Sequence, residues 1–156
     1  MSDIKKDFDI TTYNGYSEFF NSWNWEWFVT FTFPLSQSFS IAAINKLRLN
    51  WTRSLCLDEH LQVGYVYVLS YASDLPHVHL LMVGSGNKGN RTLSDVDNYV
   101  WKEQWPYNAQ IEVPYGNWAV AKYVAKNLSW SIKTPDYDFY NIKLLRKLRK
   151  TELNSS

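Results

Sequence analysis

Runs of apolar and polar residues change period along this chain, and the changes mark where its elements begin and end. Trp25 to Phe33 reads as a strand, because Phe28-Val29-Thr30-Phe31-Thr32-Phe33 alternates aromatic and β-branched residues until Pro34 stops it. A serine-rich start over Ser36 to Ser40 then leads into Ile41, Ile44, Leu47, Trp51 and Leu55, which trace one face of an amphipathic helix. Gln62 to Tyr71 is β-rich again. Ala72-Ser73-Asp74-Leu75-Pro76 makes a turn, and Pro76 to Val83 returns beside it as the second arm of a hairpin. Gly84 to Arg91 reads as a mobile connection whose glycine spacing fits no phosphate-binding loop.

Further along, Ser94 predicts the cap of a helix to about Trp105, with Asp95 and Asp97 in its first turn. Gln110-Ile111-Glu112-Val113 predicts a short strand and Pro114-Tyr115-Gly116 a turn. Asn117 is then expected to cap a helix through about Leu128. Residues 1–14 read as a poorly ordered polar tail, Ser17-Glu18-Phe19-Phe20 as a short helical turn, and residues 130–141 as irregular. Ile142 to Lys150 predicts a short basic helix. The order strand, helix, strand, strand, helix, strand, helix contains a hairpin, which pure βαβ winding cannot produce. The expected fold is therefore α+β: a central antiparallel sheet, ferredoxin-like or RRM-like, with helices packed on it.

Composition narrows the class. A chain of 156 residues suits one domain over 1–156, with its core at about 25–130, and 46% hydrophobic residues argue against disorder. Eight Trp, eleven Tyr and eight Phe exceed ordinary usage, enough to fill a core and still supply stacking platforms for unpaired bases. A net charge of +1 exerts no global pull on nucleic acid, so any basic binding surface must be local. The single Cys56 excludes an internal disulfide and a paired-cysteine metal site, in keeping with a reducing compartment. No signal peptide is evident, and no apolar run approaches the roughly 20 residues that span a bilayer. The expectation is a soluble, intracellular protein without a membrane partner.

Candidate chemistry centres on His77-Val78-His79. Side chains on a strand alternate faces, so both imidazoles project from one face while Val78 and Leu80 project from the other. Two imidazoles side by side are a ready pair of ligands for a divalent metal, although such a pair taken alone is commonly structural. The second segment is the predicted helix after Asn117, where Val120, Val124 and Leu128 share one stripe facing the core. Tyr123 and Lys126 fall on roughly the opposite side, and Ala119 leaves space one turn earlier. Tyr123 is thus a candidate nucleophile with the cation of Lys126 beside it. Lys126 would favour the phenolate or hold a substrate phosphate. Lys122, adjacent to the nucleophile, is assigned to nucleic-acid binding. A metal on His77 and His79 would polarise a non-bridging phosphate oxygen.

A Phe31-Thr32-Phe33 strand, then Pro76-His77-Val78-His79 followed by aliphatics, then Tyr123 with Lys126 on a late helix, resembles the HUH endonuclease superfamily. Within it the chain is most similar to the Rep proteins that start rolling-circle replication of small viruses and plasmids. The resemblance covers about residues 25–130, and the three motifs keep the family's order. It implies a central antiparallel sheet, Mg2+ or Mn2+ at His77 and His79, and a single catalytic tyrosine at Tyr123. It also implies nicking of single-stranded DNA or of an origin hairpin, with the 5′ phosphate held on Tyr123 and later rejoined. No Walker-type loop is present, so unwinding would come from a separate helicase. The implied setting is the cytoplasm of a prokaryotic host, or the nucleus for a eukaryotic virus, with a virus, plasmid or other mobile element as the source.

The pattern also departs from the family. Many members carry a carboxylate on the strand paired with the histidine strand, and Tyr67-Val68-Leu69-Ser70-Tyr71 has none. Asp74 or Glu112 would be a substitute, or water and phosphate would complete a two-histidine site. Two other readings stay open. A small tyrosine transposase shares the histidine pair, but such enzymes typically place glutamine where Lys126 sits. A non-catalytic module would stack bases on aromatics of its sheet. Trp101, Trp105 and Trp118 are expected in the core, and His60 is assigned no role. Lys143, Arg146, Lys147, Arg149 and Lys150 read as a solvated helix end, with phosphate contact as the second reading.

Overall fold

The computed structural model describes residues 10–34, 39–59, 61–70, 77–86, 102–129 and 137–150, with residues 58, 59, 61, 70, 85, 86 and 127–129 described by backbone alone. In chain order the elements are α1 (Ile10–Phe20), β1 (Trp27–Thr32), α2 (Ile41–Glu59), β2 (Leu61–Ser70) and β3 (His77–Gly86). They continue with β4 (Ala109–Glu112), α3 (Asn117–Ser129), β5 (Tyr137–Tyr140) and α4 (Ile142–Leu148). One five-stranded sheet runs in the order β4-β1-β3-β2-β5, and each neighbouring pair is antiparallel. β1 and β2 therefore run parallel to each other with β3 between them. That is the split βαβ unit of ferredoxin-like folds, with α2 as the crossover. The fold is α+β, as the element order predicted.

Pleating divides the sheet residues between two apolar layers. On one face Trp27, Val29 and Phe31 of β1 join Val78, Leu80 and Met82 of β3, and they pack against Ile44, Trp51 and Leu55 of α2. On the other, Val66, Val68, Leu81 and Val83 meet Phe20, Trp23 and Trp25, together with Val120, Ala121, Val124 and Ala125 of α3. Helices thus cover both faces, which is why β2 and β3 read as nearly continuous apolar runs. Trp105 stacks on Phe31 at 3.8 Å between ring centroids and is buried, as expected of a core residue.

Beneath α2 a cation is buried, and among the described residues its partners are phenols and an amide, not a carboxylate. Arg48 donates from Nη1 to the Tyr65 hydroxyl at 2.7 Å, and its guanidinium lies 3.8 Å from the Tyr67 ring centroid. Burial pushes the Tyr65 phenol up to about 12, so it stays a neutral partner for that cation.

Several expectations are corrected. Residues 10–14 belong to a full helix, not to the polar tail. Their low helix propensity is overridden by packing, because Phe20 at the end of α1 is fully buried and Phe19 meets Phe139 of β5 edge-on. Residues 137–140 are a strand paired with β2, not an irregular stretch. Asn141 follows it in the left-handed region (φ 61°), and its side chain accepts from Leu144 N to start α4. α4 stops at Leu148, two residues early. Arg149 is extended there, donates from Nε to Ser22 Oγ at 2.9 Å and lies against the Phe19 and Trp23 rings. Asn117 lies within the first turn of α3, and its side chain serves another segment. It accepts from Trp25 N at 2.8 Å and donates to Asn21 Oδ1 at 2.8 Å, tying the entry to β1 onto α3. Gly84 to Gly86, expected to begin the mobile connection, instead extend β3, paired with Val63 to Leu61 of β2. The expectations for Asp74, His60, the rest of that connection, the Ser94 cap and Trp101 fall outside the described residues, as does the side chain of Leu128.

Candidate active site

β3 is the middle strand of the sheet, and its first residues carry the histidines. Antiparallel register sets Thr30 of β1 opposite His79 and Thr32 opposite His77, on the shared face. The two imidazoles lie nearly parallel, 10° between planes and 6.4 Å between centroids. His79 is only 5% exposed, and its Nδ1 is 3.1 Å from Thr30 Oγ1. If Nδ1–H donates to the hydroxyl, Nε2 keeps the lone pair that a metal needs. Burial, reinforced by the charge of neighbouring His77, pulls the His79 pKa from 6.5 down to about 4. The ring is therefore neutral at physiological pH, which is the state that binds a metal.

α3 crosses the same face. Val120, Ala121, Val124 and Ala125 are buried in the layer they share with Phe20, Trp23 and Trp25 and with Val66, Val68, Leu81 and Val83 of the sheet, so the helix is held firmly and its opposite side looks outward. Tyr123 is 45% exposed, yet its ring meets His79 edge-on at 5.4 Å and 87° between planes. Phe28 of β1 lies 5.8 Å from both rings and completes a three-ring cluster that locates the phenol beside the histidine strand. The structure thus brings His77, His79 and Tyr123 together from two elements about 40 residues apart. Lys126 is exposed on α3, and Lys122 sits with Nζ 5.5 Å from the Trp118 ring centroid.

Trp118 is 44% exposed, which corrects its placement in the core. Phe28 and Thr30 are the participants that sequence reasoning missed. Nothing in the sequence specifies which β1 residues stand opposite the histidines, since that follows from the register. Trp118 did carry a signal, because it lies about 160° around the helix from Val120.

Two imidazoles on one strand, the His79 ring neutral and held by a hydroxyl, are a donor set that fits a divalent cation. Among the described residues no group of three or more His, Cys, Asp or Glu has a metal-holding arrangement, so no third ligand joins the pair there. Glu112 is exposed on β4 and stands opposite Phe28, not opposite a histidine. Asp74 is outside the described residues. Chemically, the corner combines an accessible phenol, a pair of imidazoles and lysines on one helix face, parts compatible with phosphoryl transfer to tyrosine.

Comparisons with protein-family models, curated proteins and solved structures return no match. No helix among the described residues is long and apolar enough to cross a membrane.

Proposed function

We propose that this chain is a metal-assisted endonuclease and strand transferase that nicks single-stranded DNA through Tyr123, in the manner of the Rep-type HUH enzymes its motifs resemble. The observation that carries the reading is the Tyr123 ring edge-on to His79 at 5.4 Å, on a helix face open to solvent. The arrangement belongs to no single motif, because the strand and the helix contribute separately and meet only in the fold.

In the proposed reaction the Tyr123 phenolic oxygen attacks the phosphorus of one phosphodiester, and the bond from phosphorus to the 3′ oxygen breaks. The phenol loses its proton and the departing 3′ oxygen gains one. The products are a strand ending in a 3′ hydroxyl and a strand held by its 5′ phosphate on Tyr123. Attack by a 3′ hydroxyl on that phosphotyrosine reverses the step, which rejoins DNA without a nucleotide cofactor. His77 and His79 would hold Mg2+ or Mn2+, which supplies Lewis-acid stabilisation of charge on the non-bridging phosphate oxygens. Thr30 orients the His79 ring, and Lys126 offsets negative charge at the phosphate or the phenolate. Lys122 contacts the DNA backbone.

The test needs no knowledge of the origin. Protein, Mn2+ and a random-sequence pool of labelled single-stranded DNA should yield a covalent adduct that survives denaturing electrophoresis. Tyr123→Phe should abolish it, and His77→Ala should lower its rate at least about a hundredfold. An adduct that persists in Tyr123→Phe refutes the nucleophile. No adduct with any pool sequence refutes the nicking reading.

A further inference from the structure

The outward face of α3 carries more than the nucleophile. At about 100° per residue, Trp118, Lys122, Lys126, Ala119 and Tyr123 occupy, in that angular order, about 140° of the helix circumference. Trp118 is 44% exposed, and Tyr115, in the turn before the helix, is 71% exposed. Exposing a Trp and a Tyr three residues apart forfeits the burial that large aromatic rings ordinarily gain, of order 1.5–3 kcal/mol for a large apolar side chain. Lys122 leans over the Trp118 ring with Nζ 5.5 Å from its centroid. No Asp or Glu occurs anywhere in α3, so the face is cationic as well as aromatic. Trp118 and Tyr123 are separated along the axis by about 7.5 Å, on the scale of one or two nucleotide steps.

We infer that Trp118 is a stacking platform for a base of the single-stranded DNA whose phosphate lies at Tyr123, with Lys122 holding the backbone between them. The inference rests on the nicking reading for its choice of DNA, and it adds a specificity for unpaired bases. A ring platform beside a lysine suits a single strand, whose bases offer their flat faces, and not a duplex, whose faces are already stacked. Stacking makes no demand on base identity, so Trp118 contributes affinity for single strands in general.

The experiment is a cycle run on binding alone, with Tyr123→Phe protein in EDTA so that no cleavage intervenes. Fluorescence anisotropy is measured with a labelled oligothymidylate and with an abasic strand of the same length. Trp118→Ala should weaken oligothymidylate binding about tenfold, equivalent to about 1.4 kcal/mol, and leave binding of the abasic strand unchanged. Trp118→Phe should keep most of the affinity. Equal losses on both strands, or no loss on either, overturn the platform, because a structural or purely electrostatic role does not distinguish them. The adduct assay is independent of this one. An adduct with no Trp118 effect sinks the platform alone, whereas a base-dependent Trp118 effect with no adduct sinks nicking and leaves a single-strand binding face.

Discussion

Replacing His79 by glutamine removes the one buried imidazole of the site and should flatten the dependence of stability on pH. The folded protein holds the His79 pKa at about 4, against 6.5 in the ordinary state, first by burial and then by the charge of His77. Above pH 6.5 the ring is neutral whether the chain is folded or not, and the term vanishes. As the pH falls below 6.5 the unfolded chain takes up a proton that the folded one refuses. Stability is therefore lost down to about pH 4 and levels off below it. The full drop is worth about 3 kcal/mol, most of it expressed by pH 4.5. With the ring only 5% exposed, solvent screening removes little of this. Urea unfolding of wild type and His79→Gln, both in EDTA at pH 7.5 and pH 4.5, isolates the term, since the carboxylates titrate alike in both. The wild type should lose about 2–3 kcal/mol more than the variant between the two pH values, roughly 1 M in urea midpoint. Equal losses would mean that the folded protein already admits the proton, and the neutral-ligand argument would fail with it.

Two further predictions follow from named contacts. Thr30→Val keeps the shape of the side chain and removes the hydroxyl 3.1 Å from His79 Nδ1, so Mn2+ affinity measured by calorimetry should fall about 10- to 100-fold and the melting temperature should drop by a few degrees, because the buried ring nitrogen loses its partner. Gly64→Ala places a methyl 3.0 Å from Leu145 Cγ and 3.4 Å from the Asn141 carbonyl oxygen, where buried Leu145 has little room to retreat. Overpacking of about 1–3 kcal/mol should outweigh the gain of under 1 kcal/mol from a stiffer unfolded chain, lowering the urea midpoint.

The sequence reveals those parts of this fold whose signal is local and long. α2 runs for about five turns and α3 for between three and four, so their apolar stripes repeat often enough to be read. The shared face of His77 and His79 follows from strand pleating alone and needs no partner. Register is different. That Thr30 stands opposite His79, and that Phe28 lies against both His79 and Tyr123, depends on how β1 slides against β3, which no single segment encodes. β5 is four residues long, too short for a period, and exists because β2 offers it an edge. α1 contains Thr11, Thr12, Asn14 and Gly15, none of them a strong helix former, and is held by the rings at its end. Trp118 departs from expectation for another reason. The helical wheel that sets Tyr123 off the core sets Trp118 off it too, and at this position local geometry outweighs the general tendency of Trp to be buried.

The placement of aromatics bears on how a nucleic acid could lie here. A module that stacks bases on its sheet needs open rings on a sheet face. In this chain Phe31 and Tyr65 are sealed under α2, and Phe28, half-buried, is packed against the Tyr123 ring of α3. Among the described residues the exposed aromatics are Tyr115, Trp118 and Tyr123, all on α3 or in the turn that enters it. A single strand that uses them must run along the helix and pass the histidine end of β3. That path brings a phosphate to the phenol and the imidazoles at once. On the proposed nicking reading, the packing that covers these sheet rings among the described residues would direct the strand to the corner where the candidate chemistry is assembled.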